Sequence, residues 1–242
     1  MLAAYEMLEQ YLKARQLYPQ WFQKLDIKDP ILNALVDSGY ILPLMQRDNQ
    51  GRRIILQCAS RFDTNNFSSA DAIRLNSLIF GYLMDEEESQ ICGFVYIIDA
   101  SKVSLKHVSM FSFVDIKNWL NCLQKAIPTR MKEYHFINLP GYANTLVDFG
   151  ISVMSEKLKK RVIYGKHLDE LKKHVDEKLL PKEYGGVVTM TEMIQDFKIK
   201  LHKYRDKILK NDDQFIVIPK NVTDTSASEL GIGGSFRKLE VD

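Results

Sequence analysis

The residues able to do chemistry in this sequence are scattered. Its five histidines, His107, His135, His167, His174 and His202, include no i,i+4 pair. His167 and His174 lie seven apart and could share a helix face, but two ligands alone make a poor metal site, so both read as surface helix residues. Cys58, Cys92 and Cys122 are odd in number, far apart and without a CxxC pair, which argues against a disulfide framework or a zinc site and fits a reducing compartment. There is no GxSxG elbow, no GxxxxGK[ST] loop, no GxGxxG after a strand and no HExxH. The run Gly231-Ile232-Gly233-Gly234 has no strand before it and reads as a flexible linker. Asp99 ends the apolar stretch from Cys92 to Ile98, at the carboxyl edge where open α/β sheets place ligand sites. It lacks a partner base, and a carboxylate that caps the following loop through backbone N–H groups is the simpler reading. The chain is therefore expected to be no enzyme and to need neither metal nor cofactor.

One constellation is better grouped. The stretch Tyr142 to Phe149 is apolar on one helical face, and Ser155 to Arg161 that follows is strongly basic. Lysines at a helix C-terminus complement its dipole, which is a purely structural explanation. That explanation does not cover Arg130 and Lys132, which precede the next strand upstream. Placed together, Arg130, Lys132, Lys157 and Arg161 could cradle a polyphosphorylated headgroup.

These residues need a scaffold, and the hydrophobic pattern supplies one. A helix is expected over 3–17, closed by Pro19, and a short one over 30–37 ending at Ser38-Gly39. Strands follow at 53–56, 92–98, 134–137 and 162–164. They alternate with helices at 70–84, 107–125, 142–160 and 167–174, and a last helix is expected over 191–209. Apolar strands without polar alternation, separated by helices, are buried on both faces and predict a mostly parallel α/β sheet with right-handed crossovers. The tail from 219 is expected to be loosely held. The 242 residues are 45% hydrophobic with a formal net charge of +2, ordinary for a soluble globular protein and too balanced to point to nucleic acid. Charges at Glu6, Glu9 and Lys13 interrupt any signal-peptide core, and no apolar run reaches membrane-spanning length. A cytoplasmic protein is expected, with the sequons at Asn66 and Asn221 as chance matches.

Three ordered motifs carry a resemblance across nearly the whole chain. Leu180-Pro181-Lys182-Glu183-Tyr184-Gly185-Gly186 matches an LPxEYGG signature, His135-Phe136-Ile137-Asn138-Leu139-Pro140 an H-x-I-N-x-P strand end, and Gly93 to Asp99 a G-x-x-x-I-x-D strand. Together they resemble the CRAL-TRIO family of lipid-binding proteins, in particular its tocopherol- and retinaldehyde-carrying branch. Ser235-Phe236-Arg237-Lys238-Leu239 is similar to a C-terminal pattern of invertebrate members.

The resemblance implies an α/β CRAL-TRIO fold with a hydrophobic lipid cavity under a mobile gate helix, here 142–160. It implies a carrier, peripheral and reversible at membranes and expected to be monomeric, that moves a hydrophobic molecule such as a tocopherol or retinoid between phosphoinositide-containing membranes. The alternative kept open is a phosphoinositide-reading adaptor with a structural lipid. The family's pocket falls on Ile73, Asn76, Phe80, Phe94, Ile98, Leu105, Ser109, Phe111, Trp119, Cys122, Leu123, Met131, Tyr134 and Val147. Asn76, Ser109 and Tyr134 would fix one hydroxyl or carbonyl. The bland alternative is that the apolar members of this set are ordinary core. The phosphoinositide residues fall on Arg130, Lys132, Lys157 and Arg161. Residues 1–40 would be the remnant of an N-terminal helical subdomain entered at its last helix, 41–190 the lipid-binding domain, and 191–242 a C-terminal helix and tail. Gly141, Ala143 and Gly150 are smaller than the residues expected in the gate, which suggests a wider pocket.

Overall fold

Proline, glycine and capping residues cut the apolar pattern into short elements. The computed structural model describes residues 2–217; the Gly231–Gly234 run, the Ser235–Leu239 pattern, Asn221 and the tail from 219 lie outside the described residues. The elements are α1 (Leu2–Leu17), α2 (Pro19–Phe22), α3 (Pro30–Ser38), β1 (Ile41–Arg47), β2 (Arg53–Cys58), α4 (Ser69–Leu83), α5 (Glu87–Cys92), β3 (Phe94–Asp99), α6 (Leu105–Ser109), α7 (Phe113–Lys125), β4 (Met131–Ile137), α8 (Asn144–Ser152), α9 (Glu156–Lys159), β5 (Val162–Gly165), α10 (Leu168–Leu171) and α11 (Met190–Leu209).

The sheet runs β1-β2-β3-β4-β5, with β1 antiparallel to β2 and the other pairs parallel. It is the mostly parallel α/β sheet that the pattern predicts. Strands in sequential order joined by right-handed crossovers put every connection on one face. Accordingly α4, α7 and α8 meet over the same side of the sheet, around alternate residues of β2, β3 and β4. The opposite side is closed by the chain after β5, where Leu171, Val175 and Leu180 join the main core. That core also takes Leu32, Leu35 and Val36 of α3 and Met190, Met193, Phe197 and Leu201 of α11. The domain core thus draws on residues on both sides of the 41–190 segment. A smaller cluster joins Ala14, Tyr18, Trp21 and Phe22 to Ile73, Cys122 and Ile127.

One strand is unexpected, and four expectations are corrected, among them the helix over 167–174, which is only the four-residue α10. Residues 41–47 form an edge strand, which Pro43 disguises; proline lacks a ladder N–H and is tolerated at an edge. Cys92 belongs to α5 rather than to β3, because Gly93 turns the chain at φ +85°. A side chain on Gly93 would also collide with the Arg130 carbonyl. The helix expected over 107–125 is two, since Ser112 is extended and caps α7 by accepting from Asp115 N at 3.0 Å. The expected gate helix over 142–160 is likewise a 3₁₀ turn at Gly141–Ala143 followed by the separate helices α8 and α9. Gln124 of α7 bridges the break between them. It accepts from Ser155 N at 2.7 Å and donates to the Val153 carbonyl at 3.3 Å, supplying bonds that a continuous helix would have made internally.

At the carboxyl ends of the strands, the three motifs meet on one group. The Asp99 carboxylate accepts from Ser101 N at 2.9 Å, Ser101 Oγ at 2.6 Å, Asn138 Nδ2 at 2.9 Å and Tyr184 OH at 2.7 Å. Burial alone would raise its pKa, yet the bonds from Asn138, Ser101 and Tyr184 outweigh burial and hold it below the ordinary carboxylate value. Tyr184 in turn lies 3.1 Å from Cys58 Sγ at the end of β2. The loop-capping reading of Asp99 holds, with Asn138 and Tyr184 as additional donors.

Because the folded carboxyl ionises more readily than the unfolded one, it contributes stability above the unfolded pKa and loses it as pH falls through the folded one. Tyr184→Phe is expected to cost about 2 kcal/mol in urea denaturation at neutral pH, the typical worth of a hydrogen bond to a charged group. Asp99→Asn is expected to flatten the acid arm of the stability profile, so an unchanged acid arm would show that this carboxylate is not a stabilising titrating group.

Candidate functional site

The face shared by α4, α7 and α8 does not close completely over the sheet. A cavity of about 260 Å³ remains, floored by Gln57, Tyr96, Ile98, Tyr134 and Phe136 at alternating strand positions. Its walls follow helical period: Ile73, Asn76 and Phe80 from α4; Ile116, Trp119, Leu120 and Leu123 from α7; Leu146, Val147, Gly150 and Ile151 from α8. A smaller space of about 110 Å³ adjoins it around Phe111 and Val147. No charged side chain lines the larger cavity.

Polar atoms in this cavity are few and mostly engaged. The Tyr96 hydroxyl lies 2.8 Å from both Gln57 Oε1 and Asn76 Oδ1 and gives its one proton to one of them. Gln57 donates to Tyr40 OH at 2.8 Å, and Asn76 donates to the Ala72 carbonyl at 3.2 Å. Tyr134 is different: it is 6% exposed, and its hydroxyl makes no hydrogen bond to any described residue. Burial pushes its pKa up, so it is a neutral phenol able to donate and accept.

Of the fourteen residues aligned with the family pocket, Ile73, Asn76, Phe80, Ile98, Phe111, Trp119, Leu123, Tyr134 and Val147 line this cavity. The structure places the other five elsewhere. Leu105 is 67% exposed, and Ser109 is exposed and donates to the Lys106 carbonyl, because the break before α7 carries α6 away from the wall. Cys122 faces the Tyr18–Phe22 cluster on the far side of α7, where burial pushes its thiol up to about 12. Phe94 is fully buried behind Phe80, with ring centroids 5.7 Å apart. Met131 lines the neighbouring basic groove. Among the lining residues that the resemblance does not name, Tyr96 and Phe136 on the floor and Ile116, Leu120 and Ile151 on the walls lie at strand or helix period from ones that it does, whereas Gln57 lies on β2, where it names none. A Cβ on Gly150 would sit 3.7 Å from Ile116 and Leu120, an ordinary contact distance, so the glycine leaves open a small space on the α7 side of α8 that an alanine would fill.

The four basic residues are brought together. Parallel pairing of Tyr134 with Val162 sets the starts of β4 and β5 side by side, so Arg130, Lys132 and Arg161 share the amino edge of the sheet, with Lys157 above them on α9. All four line a groove of about 570 Å³ that contains no acidic residue. Arg130 donates to the Ile91 carbonyl at 2.8 Å and Arg161 to the Met131 carbonyl, and none of the four has a carboxylate partner among the described residues. The helix-dipole explanation therefore accounts for only part of this charge: three of the four cations lie at strand starts. Leu123 borders both groove and cavity.

Apolar side chains are exposed at the other end of α7. Leu105, Phe113, Val114 and Tyr142 stand out on α6, the start of α7 and the turn before α8. Contacts between Phe113 and Phe149, with centroids 4.5 Å apart, and between the Tyr142 hydroxyl and the Val103 carbonyl tie these segments together. No described helix is long and apolar enough to cross a membrane.

Comparison with known proteins agrees with this architecture. Clavesin-1 of Rattus norvegicus is 33% identical over 192 residues, which cover 78% of this chain and 54% of that protein. Clavesin-2 of Homo sapiens is 28% identical over 221 residues, covering 90% and 68%. The chain thus spans little more than half of clavesin-1. The crystal structure of Sfh5 superposes with a TM-score of 0.55 at 15% identity, over 76% of this chain and 66% of that one, a likeness of fold. The sequence model of the CRAL/TRIO domain matches residues 37–186, from the end of α3 to the Tyr184-Gly185-Gly186 turn that closes on Asp99. A match over most of the chain, on a sheet pinned by the motif residues themselves, makes this protein a member of the CRAL-TRIO family.

Proposed function

We propose that the chain is a carrier rather than a catalyst: it holds one neutral lipophilic molecule in the sheet-floored cavity and exchanges it at membranes bearing phosphoinositides. The observation that carries this reading is an uncharged cavity, with one unpartnered hydroxyl, separated from an unpaired basic groove by Leu123. A carboxylate or phosphate inside the cavity would be a buried charge without a partner, which is prohibitively costly. A hydroxyl or carbonyl would instead pair with Tyr134. Burying roughly 400 Å² of apolar ligand surface is worth about 10 kcal/mol before ordering costs.

Docking would use both ends of α7. At 1.5 Å per residue, its 13 residues separate the exposed Phe113–Val114 corner from the basic groove by about 20 Å, a span that a flat bilayer can touch at once. Four cations near an anionic surface supply about 4 kcal/mol. A second reading, a phosphoinositide-reading adaptor, is favoured by the groove's being the larger space, about 570 Å³ against about 260 Å³.

Solvent extraction of the protein purified from its native cells, followed by mass spectrometry, is expected to release one stoichiometric neutral lipophile; no extractable ligand would favour the adaptor. Tyr134→Phe is expected to leave the stability of the empty protein unchanged while weakening that ligand about fivefold, the worth of one hydrogen bond. Equal affinity in the variant would remove Tyr134 from recognition.

In vesicle sedimentation, Lys157→Ala combined with Arg161→Ala is expected to weaken binding to phosphoinositide vesicles about thirtyfold, at roughly 1 kcal/mol per cation. Val114→Asp, on an exposed side chain, is expected to weaken it about tenfold or more through lost apolar insertion. Binding unchanged in both variants would take the groove and the corner out of docking.

A further inference from the structure

Phe80 is the one residue that borders both the sheet-floored cavity and a second space of about 500 Å³ among the described residues. Helical geometry explains the arrangement. On α4 the stripe Ile73, Asn76, Phe80 faces the first space and the stripe Ser77, Gly81, Met84 the second, one residue and so about 100° apart. The second space lies between α1, α4 and α11, with Met7, Leu8, Phe22 and Ile208 among its walls. Gly81 adds no bulk there, since nothing lies within 4 Å of where its Cβ would be. The Phe80 ring is held in place, edge-on to Phe94 at 5.7 Å and stacked on Tyr96 at 6.4 Å.

We propose that Phe80 is a fixed partition between two chambers and determines the length of ligand that the carrier accepts. The inference rests on the proposed reading of the sheet-floored cavity as the ligand site. A chain anchored at the sheet gains apolar contact with each added carbon until it meets the ring. Without the ring, the same chain would continue into a mostly apolar second chamber.

The test is displacement of the fluorescent lipophile Nile red by primary n-alkanols from octanol to docosanol. For the parent protein, affinity is expected to rise about fourfold per methylene up to a limiting length and then to level. In Phe80→Ala the rise is expected to continue for several further carbons, with Phe80→Leu in between. Phe80→Leu keeps an apolar side chain against Phe94, and so serves if the alanine variant fails to fold by circular dichroism. A folded variant that levels at the parent's length would overturn the partition while leaving the carrier reading intact. Failure of the parent to bind any alkanol would overturn the carrier reading, and the partition with it.

Discussion

The cavity depends on the hydrogen bonds that hold one buried carboxylate. Asp99 is 6% exposed at the end of the middle strand, a position where a lone carboxyl would be driven to its neutral form. Its donors come from three places in the chain: Ser101 just beyond β3, Asn138 just beyond β4, and Tyr184 on the segment that returns across the sheet. Asn138 reaches it from a left-handed conformation, φ +56°, a region that asparagine tolerates better than most residues. The bonds thus fix the ends of β3 and β4 relative to each other. Register decides which face each side chain takes, since a slip of one residue turns every side chain over. Tyr96 opposite Tyr134 and Ile98 opposite Phe136 form the floor only in the register that Asp99 and Asn138 enforce.

The same topology separates the labour of the two faces. Sequential strands with one-handed crossovers stack α4, α7 and α8 on a single side, where they leave a gap over the sheet. The other side is sealed by the segment from α10 to Gly186, which the Tyr184 bond ties down. There Arg52 bridges Asp48 and Glu133, and Glu133 holds His135, whose pKa burial keeps low despite that carboxylate. Arg52, Asp48, Glu133 and His135 on this face are paired with one another, whereas the cations at the amino edge of β4 and β5 have no carboxylate partner among the described residues. On the proposed reading, that asymmetry makes the amino edge the place where the headgroup docks.

Much of this was legible in the sequence. The four parallel strands announced themselves as apolar runs, and Asp99, Asn138 and Tyr184 stood out as motif residues. The sequence could not show that the three meet. The misreadings have several causes, and in each the local hydrophobic pattern outweighs a cap, a facing neighbour or a sheet position that it does not encode. Residues 107–125 and 142–160 look like unbroken helices; Ser112 and Gln124 break them, and Gln124 does so from a different element. Leu105 and Ser109 enter the expected pocket only through the family resemblance, which does not show that α6 ends before α7 begins. Cys122 has the right period for a wall residue but lies on the face of α7 turned to Tyr18 and Phe22. β1 was missed because Pro43 denies a strand everywhere except at an edge.

On the proposed reading, the lid poses a problem of balance rather than of strength. Bilayer tails are about as apolar as a leucine-lined cavity, so moving a ligand between them changes its free energy little. What opposes exchange is opening the cover. Here the cover is held by few and local contacts: Gln124 across the α8–α9 break, the Phe113–Phe149 ring pair, and the Tyr142 hydroxyl on the Val103 carbonyl. None is a buried ion pair, and Phe113 is itself half exposed at the corner expected to meet lipid. A bilayer that takes up Phe113 withdraws it from Phe149, so docking and loosening the cover draw on the same side chain. The basic groove supplies the long-range attraction and the aromatic pair the local exchange of partners, and α7 joins the two.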